Sequence, residues 1–136
     1  MKVGDIVVEI LKKYGIKTFF GVPGHHNLPL YEAIYDRKLE HILFHEETNA
    51  GFAADGYSKI LGLGVVDATA GPGALRLVPA IAESFSSSTA LIAIVGDVDL
   101  IYIYSHKYGR SNVSQQTDQL SIFKPITKAQ FLVTSP

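Results

Sequence analysis

The 136-residue chain contains no cysteine. A disulfide framework and a thiolate metal site are therefore excluded, which fits a reducing compartment. Nor is there an excess of charge: twelve Lys and Arg against thirteen Asp and Glu leave a formal net charge of -1. The basic residues are scattered rather than blocked, so nothing supplies a broad attraction to a phosphate backbone, and no nucleic acid partner is expected. No apolar run approaches the roughly 20 residues needed to cross a bilayer, so no membrane segment is expected. The opening Met1-Lys2-Val3-Gly4-Asp5 lacks the apolar core of a signal peptide, and the cytoplasm is the expected location. Internal repeats and low-complexity tracts are also missing.

What is present suits one packed domain: 47% of the residues are hydrophobic and 18% charged, enough apolar material for a single core. Ile6, Val7, Ile10, Leu11 and Tyr14 recur at helical spacing after Asp5, a good N-cap, with Gly15 at the expected stop. Ile16 to Phe20 reads as a strand, Leu28 to Ile34 as a helix with Pro29 in its first turn, and His41 to Phe44 as a strand. A helix follows from Glu47 to about Leu61, a strand over Val65 to Ala68, a helix from Gly73 to about Ser87, and a strand over Ala90 to Val95.

This alternation predicts an α/β fold: a parallel sheet with helices on both faces, in three α/β/α layers. The unbroken apolar run Leu91-Ile92-Ala93-Ile94-Val95 predicts a central strand buried on both sides. In such sheets ligands sit beyond the carboxyl ends of the strands. Three segments fall there: Gly21 to Asn27, Glu46 with Glu47, and Thr69 to Gly73. From Asp97 to Asp118 the chain is polar and aperiodic, with Tyr102, Tyr104, His106, Tyr108, Arg110, Asn112, Gln115 and Gln116 crowded together. A loop that long is usually functional or disordered.

Each segment has a plain reading beside a functional one. Glu46 and Glu47 open a helix, where acids complement the positive end of the dipole. In the functional reading one of them is a carboxyl group able to exchange a proton, with burial among Ala50 and Ala53 raising its pKa and the helix terminus lowering it. Gly21-Val22-Pro23-Gly24 is a turn that also permits close approach of main chain to a ligand. His25 and His26 follow it, and imidazole titrates near neutral pH. Thr69-Ala70-Gly71-Pro72-Gly73-Ala74 opens a helix with free N-H groups, yet lacks the Lys-Ser/Thr ending of a phosphate loop. Neither glycine segment has dinucleotide spacing.

Taken together, Phe20-Gly21-Val22-Pro23-Gly24, Glu47-Thr48-Asn49-Ala50-Gly51-Phe52-Ala53-Ala54-Asp55-Gly56-Tyr57 and Thr69-Ala70-Gly71-Pro72-Gly73-Ala74 resemble the pyrimidine-binding (N-terminal) domain of the thiamine diphosphate-dependent enzymes, the acetohydroxyacid synthase and pyruvate decarboxylase superfamily. The resemblance spans Asp5 to Val133. It implies that a Glu hydrogen-bonds a ring nitrogen of the cofactor's aminopyrimidine and drives it toward the imino tautomer that deprotonates the thiazolium carbon. Aligning on His45-Glu46 selects Glu46, whereas aligning on Ala53-Ala54-Asp55-Gly56-Tyr57 selects Glu47. The ungapped helical stretch favours Glu47, and Glu46 is left a structural role.

The same resemblance implies that Val22, Pro23, Gly24, Thr69, Gly71, Pro72 and Gly73 border thiamine diphosphate. It also implies that His25, Asn27 and Gln115 lie near a small 2-oxo acid substrate; imidazole chemistry would let His25 or His26 shuttle protons there, a surface cap beside the tight turn being the other reading. His-His-Asn departs from the synthase pattern while Leu28-Pro29-Leu30-Tyr31 fits it, so decarboxylase, carboligase (acetolactate synthase-like) and hydrolase chemistry all stay open. Leu75 and Arg76 stand where the family has Thr and Asn; Arg76 is read as a solvated side chain, with pairing to a partner chain as the other reading. Gln115 and Asp118 match the family's Phe-Gln-Glu-x-Asp segment, Lys124-Pro125-Ile126-Thr127 resembles its Arg-Pro-Ile-Thr-Lys, and His106 loosely resembles the decarboxylase His pair.

The family holds the diphosphate through magnesium on another domain marked by Gly-Asp-Gly, and Gly96-Asp97-Val98 is not that motif. No metal ligand is therefore assigned to this chain. Residues 1-136 are expected to be the pyrimidine domain lacking its last helix and strand, working as a homo-oligomer and/or with a diphosphate-binding domain or subunit. The alternatives are a noncatalytic interaction or regulatory domain that kept the fold, and a nucleotide-binding protein using the Gly71-Gly73 loop.

Overall fold

The computed structural model describes residues 2-103 and 115-135. Helix α1 (Val3–Lys13) starts before the expected cap. Asp5 is its third residue rather than its N-cap, and its carboxylate accepts the Lys2 main-chain N-H at 2.8 Å, filling one of the donors a helix start leaves open. Gly15 takes φ +85° just past the helix, a conformation glycine adopts without strain. Then come β1 (Thr18–Gly21), a 3-10 turn (His25–Asn27), α2 (Leu28–Asp36), β2 (Glu40–Leu43), α3 (Glu47–Leu61) and β3 (Gly64–Ala68). The chain continues through α4 (Pro72–Leu75), α5 (Val78–Ser86), β4 (Leu91–Val95), α6 (Leu100–Ile103), α7 (Gln119–Phe123) and a second 3-10 turn (Lys124–Ile126).

The single helix expected from Gly73 to Ser87 is two. Pro79 has no N-H to give the Leu75 carbonyl, so the hydrogen-bond ladder breaks after α4 and restarts as α5, although Arg76 and Leu77 between them keep right-handed backbone angles. The expected loop from Asp97 to Asp118 contains α6, while Tyr104, His106, Tyr108, Arg110 and Asn112 lie outside the described residues.

All strand pairs are parallel, in the order β2-β1-β3-β4. Side chains alternate across the sheet. Phe19 and Val65 join Val8, Leu11, Leu30, Ala33 and Ile34 beneath α1 and α2, whereas Phe20, Val66 and Ala68 join Ala50, Ala54, Leu77 and Ile81 beneath α3 and α5. Three α/β/α layers result. The interior strands are β1 and β3, every residue of which is buried. This corrects the expectation for Leu91-Val95: β4 is an edge strand among the described residues, half-buried with Ala93 exposed. An apolar run reports capacity for burial; the crossovers decide which strand receives it.

Candidate functional site

Strand order singles out one place. From β1 the chain passes to α2 on one face, and from β3 it passes to α4 on the other. Two adjacent parallel strands whose connections part in this way leave a crevice at their carboxyl ends. The loops entering it carry Val22-Pro23-Gly24 and Thr69 to Gly73, and the N-terminus of α3 stands beside them.

These three segments meet around Thr69. A Cβ placed on Gly24 would lie 2.5 Å from the Thr69 Cβ. One placed on Gly73 would lie 2.8 Å from Thr69 Cγ2 and 3.0 Å from Glu47 Oε1. Gly71, at φ +60°, leaves no room for a side chain beneath the Gln115 carbonyl. The bare main chain of both turns therefore closes on the threonine, and that of the Gly73 turn on the carboxylate as well.

The two adjacent acids differ sharply. Glu46 is the N-cap of α3, accepting the Asn49 N-H at 3.0 Å. Desolvation opposes its ionisation, but hydrogen bonds from Asn49 and Thr48 and the nearby Arg76 hold its carboxyl below the ordinary range. Glu47, the first residue of the helix, is 9% exposed and its carboxylate makes no hydrogen bond among the described residues; Arg76 stands 4.0 Å from its Oε2. Arg76 is more than a solvated cation: although 58% exposed, it turns back toward Glu46 at 3.5 Å, and its carbonyl accepts from Thr48 Oγ1 at 2.7 Å.

His25 is exposed and His26 half-buried, their rings 5.2 Å apart and nearly perpendicular, with His26 Nδ1 3.5 Å from Thr69 Oγ1. Pro23 and Pro72 are exposed and Val22 half-buried. Asn27, expected beside a substrate, instead faces inward. Its Oδ1 accepts the Gly24 N-H at 2.6 Å, and its Nδ2 donates to the Val22 carbonyl at 3.1 Å and to Asp67 Oδ1 at 3.0 Å. Gln115 has an exposed side chain on a left-handed backbone. The buried amide beside it belongs to Gln119, which accepts from Gly71 N-H and donates to the Gly96 carbonyl, both at 3.1 Å. Sequence reasoning did not select Gln119, and a Gln opening a short helix carries no local signal.

A second omission had a signal: Asp67 is the one carboxylate in the otherwise apolar β3. It is fully buried, with His41 Nε2 2.7 Å from its Oδ2. The Tyr31 ring packs 4.4 Å from the His41 ring, and its buried hydroxyl lies beside Asp67 without meeting hydrogen-bond geometry. Burial pushes the Asp67 carboxyl up, against the pull of His41, Tyr31 and Asn27. Burial and the charge of Asp67 also push the Tyr31 hydroxyl up. Gly21 leaves the space: a Cβ there would sit 2.5 Å from the Asp67 carboxyl carbon.

Among the described residues no helix is long and apolar enough to cross a membrane. Comparison with known proteins adds the following. The family model described as thiamine pyrophosphate enzyme, N-terminal TPP binding domain, matches residues 1-122. The chain is 39% identical over 137 aligned positions to a probable acetolactate synthase large subunit of Methanocaldococcus jannaschii, covering 100% of this chain and 22% of that protein. It is 39% identical over 129 residues to an acetolactate synthase of Mycobacterium avium, covering 93% and 20%. Against the acetolactate synthase isozyme 2 large subunit of Escherichia coli it is 38% identical over 130 residues, covering 95% and 23%. The chain thus spans less than a quarter of the length of these relatives.

Proposed function

This chain belongs to the thiamine pyrophosphate enzyme family, through the N-terminal TPP binding domain, and on that footing we propose that it provides the pyrimidine-binding side of a thiamine diphosphate-dependent enzyme acting on a small 2-oxo acid, with Glu47 as the activating acid. The relatives' names favour an acetolactate synthase-like carboligase. One observation carries the proposal: a nearly buried carboxylate, with no hydrogen bond among the described residues and only Arg76 at 4.0 Å as a counter-charge, lies against the bare Gly73 backbone beside Thr69, on which the Gly24 turn also packs.

These residues fit a flat heterocycle. Gly24 and Gly73 leave main-chain groups bare beside Thr69, and Gly73 lets them approach the acid. When bound, thiamine diphosphate supplies the carbon nucleophile and the electron sink that 2-oxo acid chemistry requires. The task of this chain is narrower. The Glu47 carboxyl would hold or release a proton at a ring nitrogen of the cofactor, from a position that is nearly closed to bulk water. His25 and His26, on the rim, suit proton exchange on the substrate side. Magnesium and the diphosphate are assigned to a separate domain or subunit, with this chain in a homo-oligomer or joined to that partner.

The test is made in the assembled full-length enzyme with pyruvate, thiamine diphosphate and magnesium. Glu47→Gln is expected to lower kcat by about 100-fold or more, the scale of a lost general acid or base, while Glu46→Gln keeps most of the turnover. Similar turnover in the two variants refutes the assignment.

A further inference from the structure

Asn27 is a buried amide with two donors and one acceptor group, all in use. It ties Gly24 and Val22 into one turn, and its remaining N-H reaches outside the turn only to Asp67. Asp67 is held in its own place from the other side. His41 on β2 bonds its second oxygen at 2.7 Å, the Tyr31 ring from α2 backs His41, and Gly21 leaves a gap for the carboxyl group. The turn is thus fastened through one carboxylate to β3, β2 and α2. The fastening matters because the turn has no slack: Gly24 already touches Thr69 more closely than any side chain would allow.

We infer that Asp67 is a positioning residue: by holding Asn27 it keeps the Val22-Pro23-Gly24 turn seated against Thr69, in the shape that receives the cofactor ring opposite Glu47. This inference rests on the thiamine diphosphate reading above. Without the Asp67 oxygen, one N-H of an amide that is 4% exposed loses its partner, and an unpaired buried donor is costly enough for the amide to turn away and release the turn. An asparagine at position 67 still offers Asn27 an acceptor; a leucine of similar size does not.

The experiment compares Asp67→Leu, Asp67→Asn, Asn27→Ala and the Asp67→Leu/Asn27→Ala double variant in the full-length enzyme. One readout needs no cofactor: amide hydrogen exchange at Gly24. Asp67→Leu is expected to speed that exchange and to raise the Kd for thiamine diphosphate about tenfold or more, with kcat at saturating cofactor within about twofold of wild type. Asp67→Asn is expected to restore both. The double variant should be no worse than the worse single variant, because both act through one contact. Should Asp67→Leu fail to fold, Asn27→Ala must still deprotect Gly24. Unchanged Gly24 exchange, additive effects in the double variant, or no rescue by Asp67→Asn overturns the inference. A wild-type enzyme that does not bind thiamine diphosphate, or a fully active Glu47→Gln, instead overturns the underlying functional reading, and the Gly24 exchange result separates the two failures.

Discussion

Replacing Gly51 by alanine tests the packing that places Glu47. Both Gly51 and Gly56 lie within α3, and alanine is intrinsically better in a helix by about 1 kcal/mol. At Gly56 an added Cβ meets nothing within 4 Å, so the whole gain should be realised. At Gly51 it would stand 2.6 Å from the Ala80 Cβ of α5, where two carbons rest at about 3.5 to 4.0 Å. The helices must part by about 1 Å, and overpacking of that kind costs about 1–3 kcal/mol. Gly51→Ala should therefore range from neutral to about 2 kcal/mol destabilising. Subtracting Gly56→Ala cancels the helix preference and leaves the steric cost alone. Ala80→Gly removes the opposing methyl, so the Gly51→Ala/Ala80→Gly double variant exchanges one helix preference for the other and should return near wild type. Its coupling energy is expected at about 1–3 kcal/mol. Urea denaturation of the four-member cycle and Gly56→Ala, followed by circular dichroism at fixed pH, supplies the numbers. If Gly51→Ala stabilises as much as Gly56→Ala, or the coupling is zero, α3 does not meet α5 as described and the position of Glu47 beside Gly73 is wrong.

Two buried aspartates should give pH dependences of opposite sign. The Asp67 carboxyl is pushed up by burial, so the folded state holds its proton more tightly than the unfolded chain; its stabilising contribution is complete below about pH 4 and falls as pH rises through the raised value. The stability difference between wild type and Asp67→Asn should accordingly decrease upward from pH 4, and a flat difference to pH 7 would contradict it. For Asp55, desolvation is outweighed by Lys59 at 2.6 Å and the Ser84 hydroxyl at 2.7 Å, and its carboxyl is held low. Stability from Asp55 is present above about pH 4 and is lost as pH falls through the lowered value; Asp55→Asn should flatten the acid limb of the unfolding curve. Gln119→Ala strips the Gly71 N-H and the Gly96 carbonyl of their partner and should cost about 1–3 kcal/mol. Rapid exchange confined to the Gly71 amide would locate the loss; unchanged protection there would reject the bridge.

Local regularities made much of this molecule readable. The apolar spacing of Ile6 to Leu11, the short β-branched and aromatic strand segments, and the glycines after Tyr14 and around Pro23 and Pro72 act within a few residues of themselves, so helix and strand assignments followed from them. The convergence of the three motif segments was also legible, because strands alternating with helices favour a parallel sheet, and parallel strands share one carboxyl edge. Less legible was what depends on a distant neighbour. Asn27 reads as a ligand contact because polar residues beside glycine turns often are; in the fold its amide is closed by Asp67, forty positions away. The buried amide on Gly71 belongs to Gln119 and not to Gln115, whose left-handed bend is invisible in composition.

The sequence by itself determined the segments, their alternation and the residue types available at each loop, since these depend on backbone preference and periodicity. Only the tertiary structure decided that, among the described residues, β1 and β3 are the interior pair and β4 an edge, that the crevice opens between β1 and β3, that Glu46 caps while the Glu47 carboxylate makes no hydrogen bond, and that Asp67 lies beneath the turn. The reason is physical: strand order and side-chain partnership are settled by which surfaces bury one another across the sheet, a long-range competition to which the period of any one segment is blind.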